Sequence, residues 1–129
     1  MICLSVRQPW AHAIFALGKD VENRSWPTRY RGALVIHAAR RLDLARCREL
    51  AVNPAALVTG HCLGTVELAD CIQGSPSPWA IAGQWHWVLR RPRLWAVPVP
   101  LRGRLGLFVV NFESVAGAEH AKAAGGTAS

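Results

Sequence analysis

The sequence predicts an α+β fold, a small and partly open β-barrel with one helix after the first strand and a second helix in the middle of the chain. Short β-branched apolar runs recur along the chain, and apolar residues at helical spacing occur in two segments. Glycine- and proline-containing turns separate these runs. With 129 residues, the chain has the usual size of one domain. We therefore expect one domain at 1–113 and an Ala/Gly-rich tail at 114–129.

The first half of the chain is predicted to begin with a strand and a helix. Residues 2–6 form the strand, and Pro9 opens a helix whose apolar residues keep helical spacing until Gly18 ends it. An extended segment at 20–24 and a turn then lead into a β-branched, apolar strand at 33–38.

The second half is predicted to be mostly strand. Asp43 can cap a short helix that runs to about Leu50. Residues 62–72 form a strand in which Gly64 indicates a bulge or the close approach of another backbone. At least two further strands fit within 85–110, and the prolines at positions 92, 98 and 100 restrict parts of them to edges, bends or turns.

Charge points to a polyanionic partner. The formal net charge is +7, and residues 24–48 hold seven arginines against Asp43 alone. Residues 71–112 hold five arginines and no acid. A nucleic acid or another phosphate-bearing ligand is the expected partner. The alternative is a composition effect, since 13 arginines beside abundant Ala, Leu, Val and Gly are also typical of a GC-rich genome.

Other partners and compartments are disfavoured. No apolar run approaches the ~20 residues of a membrane-spanning helix, and the N-terminus lacks the pattern of a signal peptide. The four cysteines and five histidines show no metal-ligand spacing. We expect a cytoplasmic protein with reduced thiols, no metal, no cofactor and no membrane partner. Protein partners stay unknown at this level.

The stretch ALGKDVENRSWPTRYRG, residues 16–32, concentrates the polar chemistry. In an extended segment side chains alternate faces, so Asp20, Glu22 and Arg24 project one way, and Lys19 can bend to the same side from the preceding turn. A carboxylate between two cations stays ionised and holds them apart as an array of donors. Trp26 adds a face for stacking a base. The alternative is a structural ion-pair cluster on an ordinary surface strand.

The chain resembles the ASCH (activating signal cointegrator homology) domain family, whose fold is a PUA-like β-barrel. The resemblance covers residues 3–108 and rests on LSVRQPWAHAIFALGKDVENRSWPTRYRGALVIHAAR, then GTVELADC, SPWA, GQWHWVL and VPVPLRGRLGLF. Its most specific part is a G-x-K-x-x-E-x-R-like signature, displaced by one residue here, at Gly18, Lys19, Glu22 and Arg24.

The resemblance implies a cleft between the first helix and the barrel that binds RNA or a modified nucleoside. The signature residues Lys19, Glu22 and Arg24 would line it. Near this implied cleft, Arg7 is a candidate phosphate contact, together with its neighbour Gln8. Trp79, in the loop SPSPWA, is a candidate to cover the ligand.

An enzymatic alternative stays open. Some small ASCH proteins are similar to N(4)-acetylcytidine amidohydrolases, which use the signature lysine, a threonine three residues later and a distant glutamate. This chain has Lys19, but Glu22 stands at the threonine position and no acid follows in the expected region, so Glu67 is the substitute candidate. A ribonuclease would rely on Lys19, Glu22 and His12. An adaptor that uses no cleft is the third hypothesis.

Overall fold

A computed structural model of the chain describes residues 1–112. Its elements, in chain order, are β1 (Ile2–Gln8), α1 (Trp10–Ala16), β2 (Val21–Arg24), β3 (Gly32–Leu42), α2 (Leu44–Glu49), a 3₁₀ turn (Pro54–Ala56), β4 (His61–Ile72), β5 (Trp85–Pro100) and β6 (Leu107–Val109). The predicted order of strands and helices is confirmed, and Asp43 caps α2 by accepting from the Arg46 N–H at 3.2 Å. The predicted tail at 114–129 lies outside the described residues.

The strands form one six-stranded mixed sheet with the order β2-β5-β4-β3-β1-β6. β1 and β3 run parallel, and the other neighbours are antiparallel. The Arg24 side chain joins β2 to β1, which are not sheet neighbours, because its Nη2 donates to the Ser5 carbonyl at 2.8 Å. The predicted α+β, barrel-like fold is confirmed, and this contact ties two separated strands at the start of the candidate site.

Two apolar clusters fill the interior. The larger one packs the buried face of α1, through Ala11 and Ile14, against residues of β1, β3, β4 and β5. Its largest fully buried side chain is Trp87 on β5. The smaller cluster joins Cys3 and Cys62 with the aromatic pair Trp95 and Phe112, Val35 and neighbouring valines. All four cysteines are free thiols in the structure.

β5 is long and bent, which explains how one strand accommodates three prolines. β2 pairs with it only over Trp85–Val88, so the rest of that edge needs no hydrogen bonds from β2. Its pairing with β4 shifts register three times, and Arg91 adopts a positive φ of 52° immediately before Pro92. At this bend Arg90 and Arg91 line a cleft together with Gly18 and Lys19, next to the end of α1.

Gly64 on β4 meets the β5 backbone at one of these register shifts, so both parts of its prediction are confirmed. A Cβ atom at this position would lie 2.1 Å from the Arg93 carbonyl oxygen. The register slips between Cys62 and Gly64 in the pairing with β5. Only glycine permits the two strands to approach this closely.

His37 on β3 holds the loop that follows β5. Its Nε2 lies 2.6 Å from the Leu101 carbonyl, which can only accept, so Nε2 carries the proton and Nδ1 accepts from the Ser5 hydroxyl at 2.9 Å. The loop is pressed onto this pair, since a Cβ on Gly103 would lie 2.5 Å from Ser5 Oγ. Burial, followed by the charges of His61 and Arg40, lowers the pKa of His37.

The lowered pKa predicts a loss of stability in acid. The unfolded histidine titrates near pH 6.5, so between that pH and the lower folded pKa the unfolded chain binds more protons. The free energy of unfolding should therefore fall as pH drops below about 6.5, by up to about 1.4 kcal/mol per pH unit from this residue. Urea unfolding at several pH values would measure it, with His37→Gln reducing the slope. An unchanged slope in that variant would assign the pH dependence to other groups.

Candidate functional site

The turn after α1 positions Lys19. Gly18 adopts a positive φ of 73°, which glycine tolerates without strain, and the chain reverses so that the Lys19 N–H donates to the Ala13 carbonyl at 3.1 Å. The Lys19 side chain thereby turns inward, and only 3% of it is exposed. Its Nζ lies 5.8 Å from the centroid of the Trp10 ring and donates to the Val21 carbonyl.

Glu22 binds both cations of the signature. Oε1 accepts from Lys19 Nζ at 3.1 Å, and Oε2 accepts from Arg24 Nε at 3.1 Å and lies 2.9 Å from the Arg24 Nη2 atom in the ion pair. Both carboxylate oxygens are thus engaged, and the Glu22 side chain is only 9% exposed. The structure therefore brings Lys19, Glu22 and Arg24 into one network, in which a fixed carboxylate holds two cations. Lys19 has three N–H donors, and two are used by Glu22 and Val21.

A cleft of about 280 Å³ opens beside this network, between α1 and the bend of β5. Of the three network residues, Lys19 lines it. Ile14, Val66 and Leu89 form an apolar wall, and the other charged residues that line the cleft are Asp20, Arg90 and Arg91. This volume is near the lower limit of small-molecule sites, and apolar walls with a few fixed donors are typical of such sites.

The loop that precedes β5 is fixed beside Lys19 by polar contacts. Asn23 Nδ2 donates to the Trp79 carbonyl at 2.9 Å, and Asn23 Oδ1 accepts from the Ile81 N–H at 2.8 Å. The Asp20 carboxylate accepts from Ser77 Oγ at 2.5 Å. The Trp79 ring stands edge-on to Trp10, the ring below Lys19 Nζ, with centroids 6.4 Å apart. Trp79 therefore lies in the vicinity of the network.

Trp26 is engaged with the core. Its ring stands perpendicular to Trp87 with centroids 4.7 Å apart, and its carbonyl accepts from Trp87 Nε1 at 3.2 Å. The contact fixes the turn after β2 onto the barrel. Only the part of Trp26 that stays exposed is available to stack on a base.

The predicted residues around the start of α1 have separate roles. Gln8 is buried, its Oε1 accepts from the His12 N–H and its Nε2 donates to the Val58 carbonyl, each at 2.8 Å. Gln8 and His12 line another groove, of about 290 Å³, on the side of α1 opposite Ile14 and Gly18. Arg7 is exposed at the end of β1.

Glu67 points away from the interior. Val66 and Leu68 are the buried residues of this part of β4, so alternation puts Glu67 on the outer face. Its carboxylate accepts from Arg91 Nη1 at 2.9 Å and lines a second cleft. The structure does not bring Glu67 into the Lys19 network, where the enzymatic alternative would require it.

Sequence reasoning missed Asn23, Arg90 and Arg91. Asn23 alternates with Glu22 and Arg24 on β2, and its position on the other face was readable from that alternation. The two arginines reach the cleft only through the bend at Pro92, and the sequence contains no signal for the direction of that bend.

Metal-binding groups and membrane-spanning helices are both absent from residues 1–112. This part of the chain contains no group of three or more His, Cys, Asp or Glu side chains arranged to hold a metal ion. Over the same residues, neither α-helix has the length and apolarity that crossing a bilayer requires.

The protein is a barrel-like α+β domain with a buried Lys-Glu-Arg network between its first helix and its sheet. Sequence comparison identifies the domain family to which it belongs. The sequence model of the ASCH domain matches residues 4–86. The chain therefore belongs to the ASCH domain family.

The chain is also similar to two proteins named activating signal cointegrator 1. The human protein is 31% identical over 126 residues, which covers 78% of this chain and 21% of that protein. The mouse protein is 37% identical over 82 residues, which covers 54% of this chain and 14% of that protein. The chain thus spans about a fifth or less of the relatives that it matches.

Proposed function

We propose that this ASCH domain binds RNA or a modified nucleoside, and that a base or its sugar enters the cleft beside Lys19. One observation carries the proposal: the Glu22 carboxylate fixes the Lys19 ammonium and the Arg24 guanidinium in a buried network at an apolar cleft. The family membership supports it, because ASCH domains are commonly RNA-binding.

The donors of the network suit the polar edge of a base. Lys19 has one N–H beyond those used by Glu22 and Val21, and the low exposure of the site strengthens any hydrogen bond formed there. Ile14, Val66 and Leu89 provide the apolar contact that a ring requires. Arg90 at the rim, which has no carboxylate partner within residues 1–112, provides positive charge for a phosphate.

The geometry favours binding over catalysis. A proton-shuttling carboxylate needs a free oxygen, whereas Lys19 and Arg24 occupy both oxygens of Glu22. Glu67, the other candidate, is ion-paired with Arg91 on the outer face. A hydrolase would therefore have to assemble its acid and base from other groups.

Lys19→Arg separates a binding site from a catalytic one. Arginine keeps the positive charge, so we expect about tenfold weaker binding rather than none, because its planar head replaces a point contact. We expect the parent protein to bind without turnover. A thermal-shift screen of modified nucleosides and short RNAs, with isothermal titration and product analysis of each hit, would measure both properties.

Catalytic turnover would be the opposite result, and the same variant recognises it. Release of acetate from N(4)-acetylcytidine by the parent protein, or cleavage of RNA, with complete loss in Lys19→Arg, would establish an enzyme, because arginine cannot give up its proton. Arg46→Gln on α2 is the control for loss of a cation elsewhere and should leave binding of a nucleoside unchanged.

A further inference from the structure

We infer that single-stranded RNA lies across a cluster of five exposed arginines at one end of the sheet, which we call the arginine end: Arg7, Arg40, Arg41, Arg102 and Arg104. This inference rests on the proposed function and deepens it, because it assigns the surface that holds the phosphate backbone while the cleft holds a base.

Sheet topology brings these arginines together from distant parts of the sequence. β1 and β3 run parallel, and Gln8 pairs with Leu42, so Arg7 and the pair Arg40 and Arg41 lie at the same end of the sheet. The other two arginines follow β5 into the same region. Ala38 pairs with His61, and His61 pairs with Pro100, immediately before residues 101–106.

Specific contacts fix that last loop at this end. The Leu101 N–H donates to the Gly60 carbonyl at 3.1 Å, and the Leu101 carbonyl contacts His37 Nε2 at 2.6 Å. Gly103 lies against Ser5 and His37, so Arg102 and Arg104 flank a fixed point of the backbone. Since Arg24 also donates to the Ser5 carbonyl, this loop adjoins the β1 residue that the network contacts.

Charge pairing distinguishes the two ends of the sheet. All five residues of the arginine end are exposed, and within residues 1–112 none forms an ion pair with a carboxylate. The nearest acid along the chain, Asp43, accepts from the Arg46 N–H as the cap of α2. At the other end, Arg31 pairs with Asp70 and Arg91 pairs with Glu67. The other end also holds Arg90 and Arg93, which form no ion pair within residues 1–112, so it mixes paired and unpaired arginines, whereas all five residues of the arginine end are unpaired.

The chemistry fits a single strand of RNA. Arginine presents a planar fork that matches phosphate oxygens, and a base must be unstacked from a duplex before it can enter a cleft. Leu105, next to Arg104, is 99% exposed and adds an apolar contact for a base. An anionic bilayer also combines phosphate with apolar matter, so the test includes vesicles.

Double variants that replace two arginines by uncharged glutamines test this surface in the full chain. The test variants are Arg40→Gln/Arg41→Gln and Arg102→Gln/Arg104→Gln. The control is Arg31→Gln/Arg93→Gln, which removes the same charge away from the arginine end and outside the Lys19 cleft. Fluorescence anisotropy with a labelled single-stranded RNA between about 50 and 200 mM salt gives affinity and salt slope.

We expect each test variant to bind RNA about tenfold or more weakly at low salt and to lower the salt slope by about 1.4, which is two phosphate contacts at about 0.7 each. The control should keep the slope of the parent. Thermal unfolding should be the same for all variants, because none of the changed side chains is buried. Nucleoside affinity should also be unchanged.

Equal losses in test and control variants, or no loss in the test variants, would overturn the arginine end and leave the cleft intact. Nucleoside binding by a parent that binds no RNA would have the same consequence. A parent that binds neither would overturn the proposed function as well. Binding to phosphatidylserine vesicles that requires the arginine end, with no RNA binding, would replace RNA by a membrane and so overturn the inference.

Discussion

Glu22→Gln is expected to lower the free energy of unfolding by about 3 kcal/mol, a cost typical of removing one partner from a buried ion pair. The substitution preserves shape but takes away the negative charge that neutralises Lys19 and Arg24. The ammonium of Lys19 is almost fully buried and would then face a second cation without a carboxylate between them. The variant should also bind its ligand roughly ten- to hundredfold more weakly, because a hydrogen bond to a charged group contributes about 1.5 to 3 kcal/mol.

Two further variants isolate the cause. Lys19→Met leaves Glu22 paired with Arg24, so it should cost less, about 1 to 2 kcal/mol. Glu49→Gln breaks an Arg-Glu pair whose side chains are 46% and 60% exposed, and it should change stability by less than about 0.5 kcal/mol. Urea unfolding measures all three. A cost in Glu22→Gln no greater than that in Glu49→Gln would reject the buried network as a source of stability.

Gly64→Ala is expected to destabilise the fold by about 3 kcal/mol or more, because its Cβ would lie 2.1 Å from the Arg93 carbonyl oxygen. A backbone atom cannot turn aside as a side chain can, so β4 and β5 must separate or slip. Slippage would move the bend at Pro92, and with it Arg90 and Arg91 at the rim of the cleft. Ligand affinity should therefore fall even at temperatures where the variant stays folded.

A glycine without close neighbours provides the comparison. Gly74 has a positive φ of 73°, and a Cβ added to it would meet nothing within 4 Å. Gly74→Ala therefore measures backbone strain alone, at a cost of about 1 to 2 kcal/mol. Denaturant unfolding and nucleoside titration of both variants complete the test. Equal costs for the two substitutions would mean that the strand approach at Gly64 relaxes easily.

Local patterns in the sequence were sufficient for most elements. Helical spacing after Pro9, the cap at Asp43 and the β-branched run at 33–38 depend on neighbours along the chain, and each corresponds to an observed element. Gly64 was also readable, because a glycine inside a strong strand typically marks a bulge or a close backbone approach. The signature from Gly18 to Arg24 pointed to the candidate site, since its cations and its carboxylate lie within one turn and one short strand.

Contacts between distant residues required the tertiary structure. Alternation along β4 left the inner face undecided, and burial of Val66 and Leu68 decided it, so Glu67 is on the outside. The sequence likewise contains no signal for the two hydrogen bonds of the Gln8 side chain, which accepts from the His12 N–H and donates to the Val58 carbonyl.

The arginines show the same difference between what the sequence determines and what the tertiary structure determines. By itself the sequence determined that the chain is basic and that its arginines occur in two runs, because composition and order are properties of the chain alone. Only the tertiary structure decided that members of both runs meet at each end of the sheet, and that carboxylates form ion pairs with arginines of one group and not of the other. The reason is physical: strand direction and register determine which distant residues become neighbours, and the Coulomb energy of a charge depends on those neighbours rather than on its place in the sequence.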